Sequence, residues 1–389
     1  MRKFLIAAAL AALAACASTP VATVRTTQPT TVLPVEQLQV LFWDDATRAD
    51  RFRRMEDYFA GHEVAAAART RTLPRGKPYD AALVEEIDRY LASQHAAGIM
   101  VLEDGRVRYE RYGLGFTPEG RWTSFSVAKS FTSTLLGAAI RDGAIASIDN
   151  PVTRYLPALA GTAYDGVTVR QLATMTSGVK WNEDYADPNS DVAKMLQVAP
   201  VAGESQAVTY ARPLTREAPA GDKWVYKTLE TNLLGDLVAA ATRRSLADYA
   251  KDKIVDPAGF AGDLFWMTDL TGENIGGCCL SLRLDDYARF GQWVLERGQP
   301  SVPGGWFGDA GGAAVSFAQQ PGFGYGYQWW TYPGEMFGGQ GIFGQSITLV
   351  PEKGIVVAIV SSWPRATERD RSMARLALVQ KIAAAAAAD

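Results

Sequence analysis

The chain has 389 residues, 48% of them hydrophobic and 21% charged, which is enough to bury a large core and too apolar for a disordered or fibrous protein. Its formal charge of −3 lacks the basic excess of a nucleic-acid binder, so no nucleic-acid partner is expected. With two histidines, His62 and His95, and three cysteines, Cys16, Cys278 and Cys279, a structural zinc site has almost no ligands to draw on.

Residues 1–15 have the pattern of an export segment: Arg2 and Lys3 carry charge, and Phe4 to Leu13 is an apolar stretch too short to remain as a membrane span. Leu13-Ala14-Ala15-Cys16 is similar to the bacterial lipoprotein box. That resemblance implies cleavage before Cys16, a diacylglycerol on its sulfur and an anchor on the periplasmic side of the envelope, with Ala17 compatible with the outer membrane. Ordinary secretory cleavage nearby is the alternative, and either route exports the protein. Residues 17 to 33 are rich in Thr and Pro, so 16–37 is expected to be a flexible tether.

From residue 38 to 389 the pattern is that of one globular unit. Ala46 to Ala60 and Leu83 to Ala96 have helical spacing. Gly98 to Leu102 and Val107 to Tyr112 are strand-like runs joined through Asp104-Gly105, a hairpin signal. An apolar helix follows over Ser126 to Arg141, then helices over Asn232 to Ala241, Ser245 to Ile254 and Leu284 to Glu296. A mutual disulfide between adjacent Cys278 and Cys279 would strain the peptide between them, so two buried free thiols are expected. Three more strands over Tyr325 to Tyr332, Gln345 to Val350 and Gly354 to Ser361 precede a last helix over Glu368 to Ala388. Strands at both ends with helices between them predict a mixed α/β sheet built from the termini, about 80–125 and 285–389, with a mostly helical insertion over about 126–284.

Chemistry has to be found almost without histidine. No Gly-x-Ser-x-Gly elbow, His-Glu-x-x-His pair or glycine-rich phosphate loop occurs, so a nucleophile here would take lysine or tyrosine as its base. Two Ser-x-x-Lys strings are present, Ser126 to Lys129 and Ser177 to Lys180. Ser126 opens the long apolar helix, which puts Lys129 one turn on and on the same face. Burial in an apolar run lowers a lysine's pKa and leaves some of it neutral near pH 7, able to take the serine proton. Ser177 is followed by Gly178 and is expected in a turn. Without more context, Ser126 would be an N-cap serine beside a snorkelling lysine.

The context is Trp122-Thr123-Ser124-Phe125-Ser126-Val127-Ala128-Lys129-Ser130, which resembles the first motif of the serine β-lactamase and penicillin-binding superfamily in its class C-related branch. Asp149-Asn150-Pro151-Val152 and Thr168 to Gly178 are similar to that branch's next stretch, and Pro219 to Thr228 with Asn232-Leu233-Leu234-Gly235 to its tyrosine motif. Gly339-Gln340-Gly341-Ile342-Phe343-Gly344-Gln345 resembles the 6-aminohexanoate-dimer hydrolase subgroup. The resemblance spans roughly residues 40 to 375 and implies a β-lactamase-like antiparallel sheet flanked by helices. It implies Ser126 as acylated nucleophile, Lys129 as proton acceptor, and Tyr226 as relay to the leaving group, its phenol pKa lowered by cationic neighbours such as Lys129. It also implies an oxyanion hole made by the backbone N–H groups of Ser126 and Ile342.

This sequence departs from the family where substrate is held. Tyr226-Lys227-Thr228 replaces Tyr-x-Asn, so Thr228 offers a hydroxyl in place of an amide, and Gly339-Gln340-Gly341 replaces the cationic Lys-Thr-Gly. Loss of that lysine argues against efficient β-lactam hydrolysis and favours short amides or esters. Substrate contacts are expected from Thr228, Gly341, Trp181 and Asp187, with Asp184, Trp224, Trp266, Trp329 and Trp330 as weaker candidates, since such residues more often build core or solvated loop. The expectation is a serine hydrolase working through an acyl-enzyme on a small-molecule amide or ester, with no metal or cofactor. The alternatives are a D-Ala-D-Ala peptidase or β-lactamase, and a catalytically silent envelope binding module. The oligomeric state is left open.

Overall fold

The structure is a computed structural model that describes residues 23–386. The expected export segment and the lipidation site Cys16 lie outside the described residues. The largest element is an eight-stranded antiparallel sheet. Its strands run in the spatial order Arg106–Tyr112, Ala96–Glu103, Ile355–Ser361, Gln345–Val350, Met336–Gly341, Trp330–Tyr332, Gly324–Tyr325 and Val315–Ser316. Strands from the early and late parts of the chain therefore lie side by side, second and third in that order, with Val101 opposite Val357 and Ile99 opposite Ile359.

These two inner strands read Ala-Ala-Gly-Ile-Met-Val-Leu-Glu and Ile-Val-Val-Ala-Ile-Val-Ser because both of their faces are covered. Ile99, Val101, Val357 and Ile359 pack on one side against Ile87 and Tyr90 of helix Ala81–Ser93 and Leu376, Val379 and Ile382 of helix Arg369–Ala385. Met100, Leu102, Val356 and Ala358 belong to the core on the other side, with Leu284 and Tyr287 of helix Leu284–Leu295. The period of two thus divides one apolar run between two cores. Helix Ala128–Arg141 is buried from Ala128 to Ala139, a central helix packed with Thr228–Thr242 rather than an amphipathic surface one.

A second sheet has five strands, in the order Val24–Thr27, Gly61–Val64, Leu264–Met267, Leu280–Leu282 and Trp122–Thr123. The composition gave no sign of it. Its first strand falls in the stretch expected to be a tether, and two others interrupt the part expected to be helical. Four-residue strands at a sheet edge gain their stability from partners distant in sequence, as Val24 does from Val64, and leave little local signal.

Smaller differences have local causes. The helix expected over Ala46 to Ala60 is two, Asp45–Phe52 and Met55–Tyr58, broken at Arg53 and Arg54. The strand expected over Tyr325 to Tyr332 is cut by Gln328, whose φ is 64° and whose side chain is drawn to the Ala173 carbonyl and the Thr231 hydroxyl. Cys278 and Cys279 are joined to each other, which corrects the expectation of free thiols. The expectation weighed only the peptide between them, whereas the turn is also fixed from outside, Cys278 N–H donating to Ile275 and the Cys279 carbonyl accepting from Met267. Among the described residues no helix is long and apolar enough to cross a membrane.

Candidate active site

Ser126 sits in the one-turn helix Phe125–Val127 immediately before helix Ala128–Arg141. The preceding residue, Phe125, has φ of 43°, a strained conformation for a bulky side chain. Phe52 and Phe343 hold it there, their ring centroids 4.9 and 5.4 Å from its own. Ser124 ties the same turn to the five-stranded sheet: its N–H donates to the Leu280 carbonyl at 2.7 Å and its hydroxyl accepts from the Leu280 N–H at 3.0 Å.

One helical turn on, Lys129 is 1% exposed. Its Nζ contacts Ser126 Oγ at 3.2 Å, Thr228 Oγ1 at 3.1 Å and the Gly277 carbonyl at 2.8 Å. Burial pulls its pKa down to about 7, against the opposing effect of the Glu183 charge. Helix Thr228–Thr242 supplies two parts of this nest, Thr228 itself and Asn232, whose Oδ1 accepts from the Gly277 N–H at 2.8 Å and so aims the carbonyl.

Tyr226 closes the site from the same segment. Its ring lies 5.2 Å from Lys129 Nζ and stacks on Trp330 at 5.5 Å. The phenol pKa is raised, first by burial, with the Ser126 hydrogen bond working against it and the Glu183 charge adding to it. That corrects the expectation of a phenol acidified by Lys129: a lysine that is itself partly neutral supplies little field, and burial outweighs it.

The remaining wall is the strand Met336–Gly341. A Cβ on Gly339 would lie 2.9 Å from Ser130 Oγ, and one on Gly341 would lie 2.5 Å from the Ser124 carbonyl. Glycine at both places lets the strand settle on the Ser126 turn, bringing Ile342 against it. Among the turn and loop hydrogen bonds of the described residues, neither the Ser126 nor the Ile342 N–H donates. Together these groups bound a cavity of about 250 Å³ lined by Ser126, Tyr226, Gly341 and Ile342, with Glu183, Tyr185, Trp330, Gln340, Trp363 and Arg375.

A family profile named Beta-lactamase matches residues 83–271. The 6-aminohexanoate-dimer hydrolase of Paenarthrobacter ureafaciens is 30% identical over 297 residues, which cover 72% of this chain and 76% of that protein. The chain belongs to the serine β-lactamase and penicillin-binding superfamily. A solved Bacillus anthracis structure described as a candidate 6-aminohexanoate-dimer hydrolase superposes with a TM-score of 0.79 at 20% identity, over 92% of this chain and 98% of its own. A penicillin-binding protein homologue of Pyrococcus abyssi reaches 0.62 at 22% identity, over 77% of each chain. The fold is thus the β-lactamase-like one, and the chain is a member of a hydrolase superfamily.

Within this β-lactamase-like fold the sequence-derived candidates divide. Ser126, Lys129, Tyr226, Thr228, Gly341 and Ile342 come together. Trp181 does not line the cavity; its indole N–H donates to Glu183. Asp187 stays out as well, because its carboxylate accepts from the Asn189 N–H at 2.8 Å in a local turn, as Asp184 does from Ala186 at 2.9 Å. Trp266 and Trp329 are core, Trp330 is lining, and Trp224 backs Tyr226 at 6.5 Å. Ser177 is a buried turn residue whose hydroxyl donates to Glu230, as the turn expected there implied. Glu230 and Lys227 form a buried pair at 3.4 Å flanking the tyrosine motif, burial pushing the Glu230 carboxyl up to about 7.

Glu183 was missed. It accepts from the Thr228 N–H at 3.0 Å, the Tyr185 hydroxyl at 2.8 Å, the Thr228 hydroxyl and the Trp181 indole. A loop holding Glu183, Asp184 and Asp187 gives no sequence signal of which acid turns inward. Arg375 and Trp363 were missed too, Arg375 on a helix assigned only to the scaffold and Trp363 between two expected elements, while Gln340 was read only as the place of a lost cation.

Proposed function

We propose that this protein hydrolyses small amide or ester substrates through an acyl-enzyme on Ser126. The observation that carries the reading is Lys129, held 3.2 Å from Ser126 Oγ in surroundings that bring its pKa to about 7. When neutral, Lys129 spends its two N–H donors on Thr228 Oγ1 and the Gly277 carbonyl, and its lone pair faces the serine hydroxyl. As Ser126 Oγ attacks the carbonyl carbon, its proton passes to Lys129 Nζ. The backbone N–H groups of Ser126 and Ile342 receive the developing oxyanion. Tyr226 gives its phenolic proton to the leaving amine or alcohol as it takes one from the Lys129 ammonium, so no free phenolate forms and its raised pKa is no obstacle. Water then enters, loses a proton through the same pair and releases the acid. The resemblance to 6-aminohexanoate-dimer hydrolase supports short linear substrates, as does the absence of a cation from Gly339-Gln340-Gly341. The protein is also proposed to act in the cell envelope, anchored by lipid on Cys16.

Intact-mass spectrometry after reaction with a fluorophosphonate tests the nucleophile. One label on the wild type and on Ser177→Ala, and none on Ser126→Ala, is the expected result. No label on the wild type returns the silent binding module, and loss of label in Ser177→Ala overturns the assignment. Nitrocefin turnover faster than turnover of aminohexanoate dimers and p-nitrophenyl esters would return the β-lactamase alternative.

A further inference from the structure

We propose that the Cys278–Cys279 bond is a positioning element for Lys129, and that a dithiol opening it lowers kcat reversibly; this rests on the Ser126 reading above. The two cysteines stand between two grips on the site. Before them, the Gly276 carbonyl accepts from Thr132 Oγ1 at 2.7 Å and the Gly277 carbonyl from Lys129 Nζ at 2.8 Å. After them, Leu280 exchanges two hydrogen bonds with Ser124, whose turn presents Ser126. The backbone of Cys278 and Cys279 therefore sets how far the acceptor of the base lies from the turn of the nucleophile.

Hydrogen bonds alone hold that stretch weakly. Cys278 donates to the Ile275 carbonyl and accepts from the Trp266 indole, and Cys279 accepts from the Met267 N–H, each at 3.2 Å, the long end of the usual range. The preceding glycines are required by close approach: a Cβ on Gly276 would lie 2.6 Å from the Thr231 carbonyl, and one on Gly277 would lie 2.9 Å from Asn232 Oδ1. Two successive glycines give the backbone its greatest freedom where the Lys129 acceptor has to be fixed. A bond between adjacent side chains closes a small ring through the peptide joining them, which restricts ψ of Cys278 and φ of Cys279. It closes no loop between distant segments, so what it constrains is this turn and not the fold at large. Cys279 is 5% exposed and Cys278 is half-buried, so the Cys278 sulfur is the one open to attack. A thiolate of the dithiol attacks it, the S–S bond breaks, and Cys279 leaves as a thiolate and takes a proton. The second thiol of the reductant then displaces Cys278. Two protein thiols and one oxidised dithiol result, two electrons and two protons having passed to the protein.

The test uses dithiothreitol on the folded protein. Intact-mass spectrometry follows the gain of two hydrogens and their loss on reoxidation, and the dithiol is removed before hydrolysis of a small unactivated ester is measured. Reduction is expected to lower kcat about tenfold, the effect of one loosened charge-assisted bond, with KM changed by less than about twofold, and reoxidation to restore it. The acid limb of kcat/KM is expected to move to lower pH, because the Gly277 carbonyl favours the ammonium form of Lys129 and its retreat withdraws that support. Cys278→Ser with Cys279→Ser is expected to match the reduced protein and to ignore the dithiol. Two thiols already present in the untreated protein, or a bond that resists the dithiol, overturn the proposal. So do a reduced form that keeps the oxidised kcat, an acid limb that does not move down, and a double variant that still responds. Hydrolysis by Ser126→Ala at the wild-type rate would instead overturn the nucleophile assignment, which keeps the two failures apart.

Discussion

Glu183→Gln separates the electrostatic role of this carboxylate from its place in the hydrogen-bond chain. Lys129 Nζ lies 3.1 Å from Thr228 Oγ1, and the Thr228 hydroxyl in turn donates to Glu183. Two successive hydrogen bonds put the carboxylate about 5 Å from the amine. A unit charge at that distance stabilises the ammonium by roughly 0.8 kcal/mol in a water-like dielectric and roughly 3 kcal/mol at the lower effective value of protein sites. Removing it should lower the Lys129 pKa by about one unit. The sign is fixed, because Glu183 raises this pKa and the proposed mechanism uses the neutral form of Lys129. The wild-type kcat/KM is expected to rise with pH through about 7, and that of the variant through about 6. At pH 6, each enzyme normalised to its own plateau, the variant should retain about five times the wild-type fraction. The plateau itself should fall, since one amide cannot accept all the donors that Glu183 now satisfies. An acid limb that stays in place, or moves to higher pH, would refute the assignment of Lys129 as the titrating base.

Gly341→Ala places a methyl 2.5 Å from the Ser124 carbonyl and 3.1 Å from Phe125 Cβ, so the strand has to retreat and take the Ile342 N–H with it. Its kcat should drop by about a hundredfold with little change in KM in steady-state assays, and wild-type kcat would remove Ile342 from the oxyanion hole. Glu230→Ala leaves Lys227, at 0% exposure, without its counter-charge and with the Val225 carbonyl at 3.3 Å as its remaining acceptor. Urea unfolding should show a loss of about 3–5 kcal/mol, and Lys227→Met added to it should restore part of that loss. Equal stability of the single and double variants would show that the pair is not coupled.

The site was legible in part because its chemistry is local in sequence. Ser126 and Lys129 are one helical turn apart, and the glycines at 339 and 341 are required by a close approach that leaves few other residues possible. The central sheet was legible because strands covered on both faces have to be continuously apolar. The five-stranded sheet was not, since edge strands such as Val24–Thr27 depend on partners some forty residues away. Nor was the direction of the Tyr226 shift, where the sequence showed a lysine nearby but not the burial that outweighs it.

By itself the sequence determined the order of the main elements through apolar periodicity and, through motifs that resemble the family's, the superfamily, and it singled out Ser126 and Lys129 as candidates one helical turn apart. Only the tertiary structure decided which acid turns inward, what sets the Lys129 pKa, and that a guanidinium from helix Arg369–Ala385 enters the cavity. Glu183 and Arg375 are ordinary charged residues in their own neighbourhoods. What distinguishes them is loss of water and convergence on Ser126 from segments distant in the chain, and no local pattern encodes either.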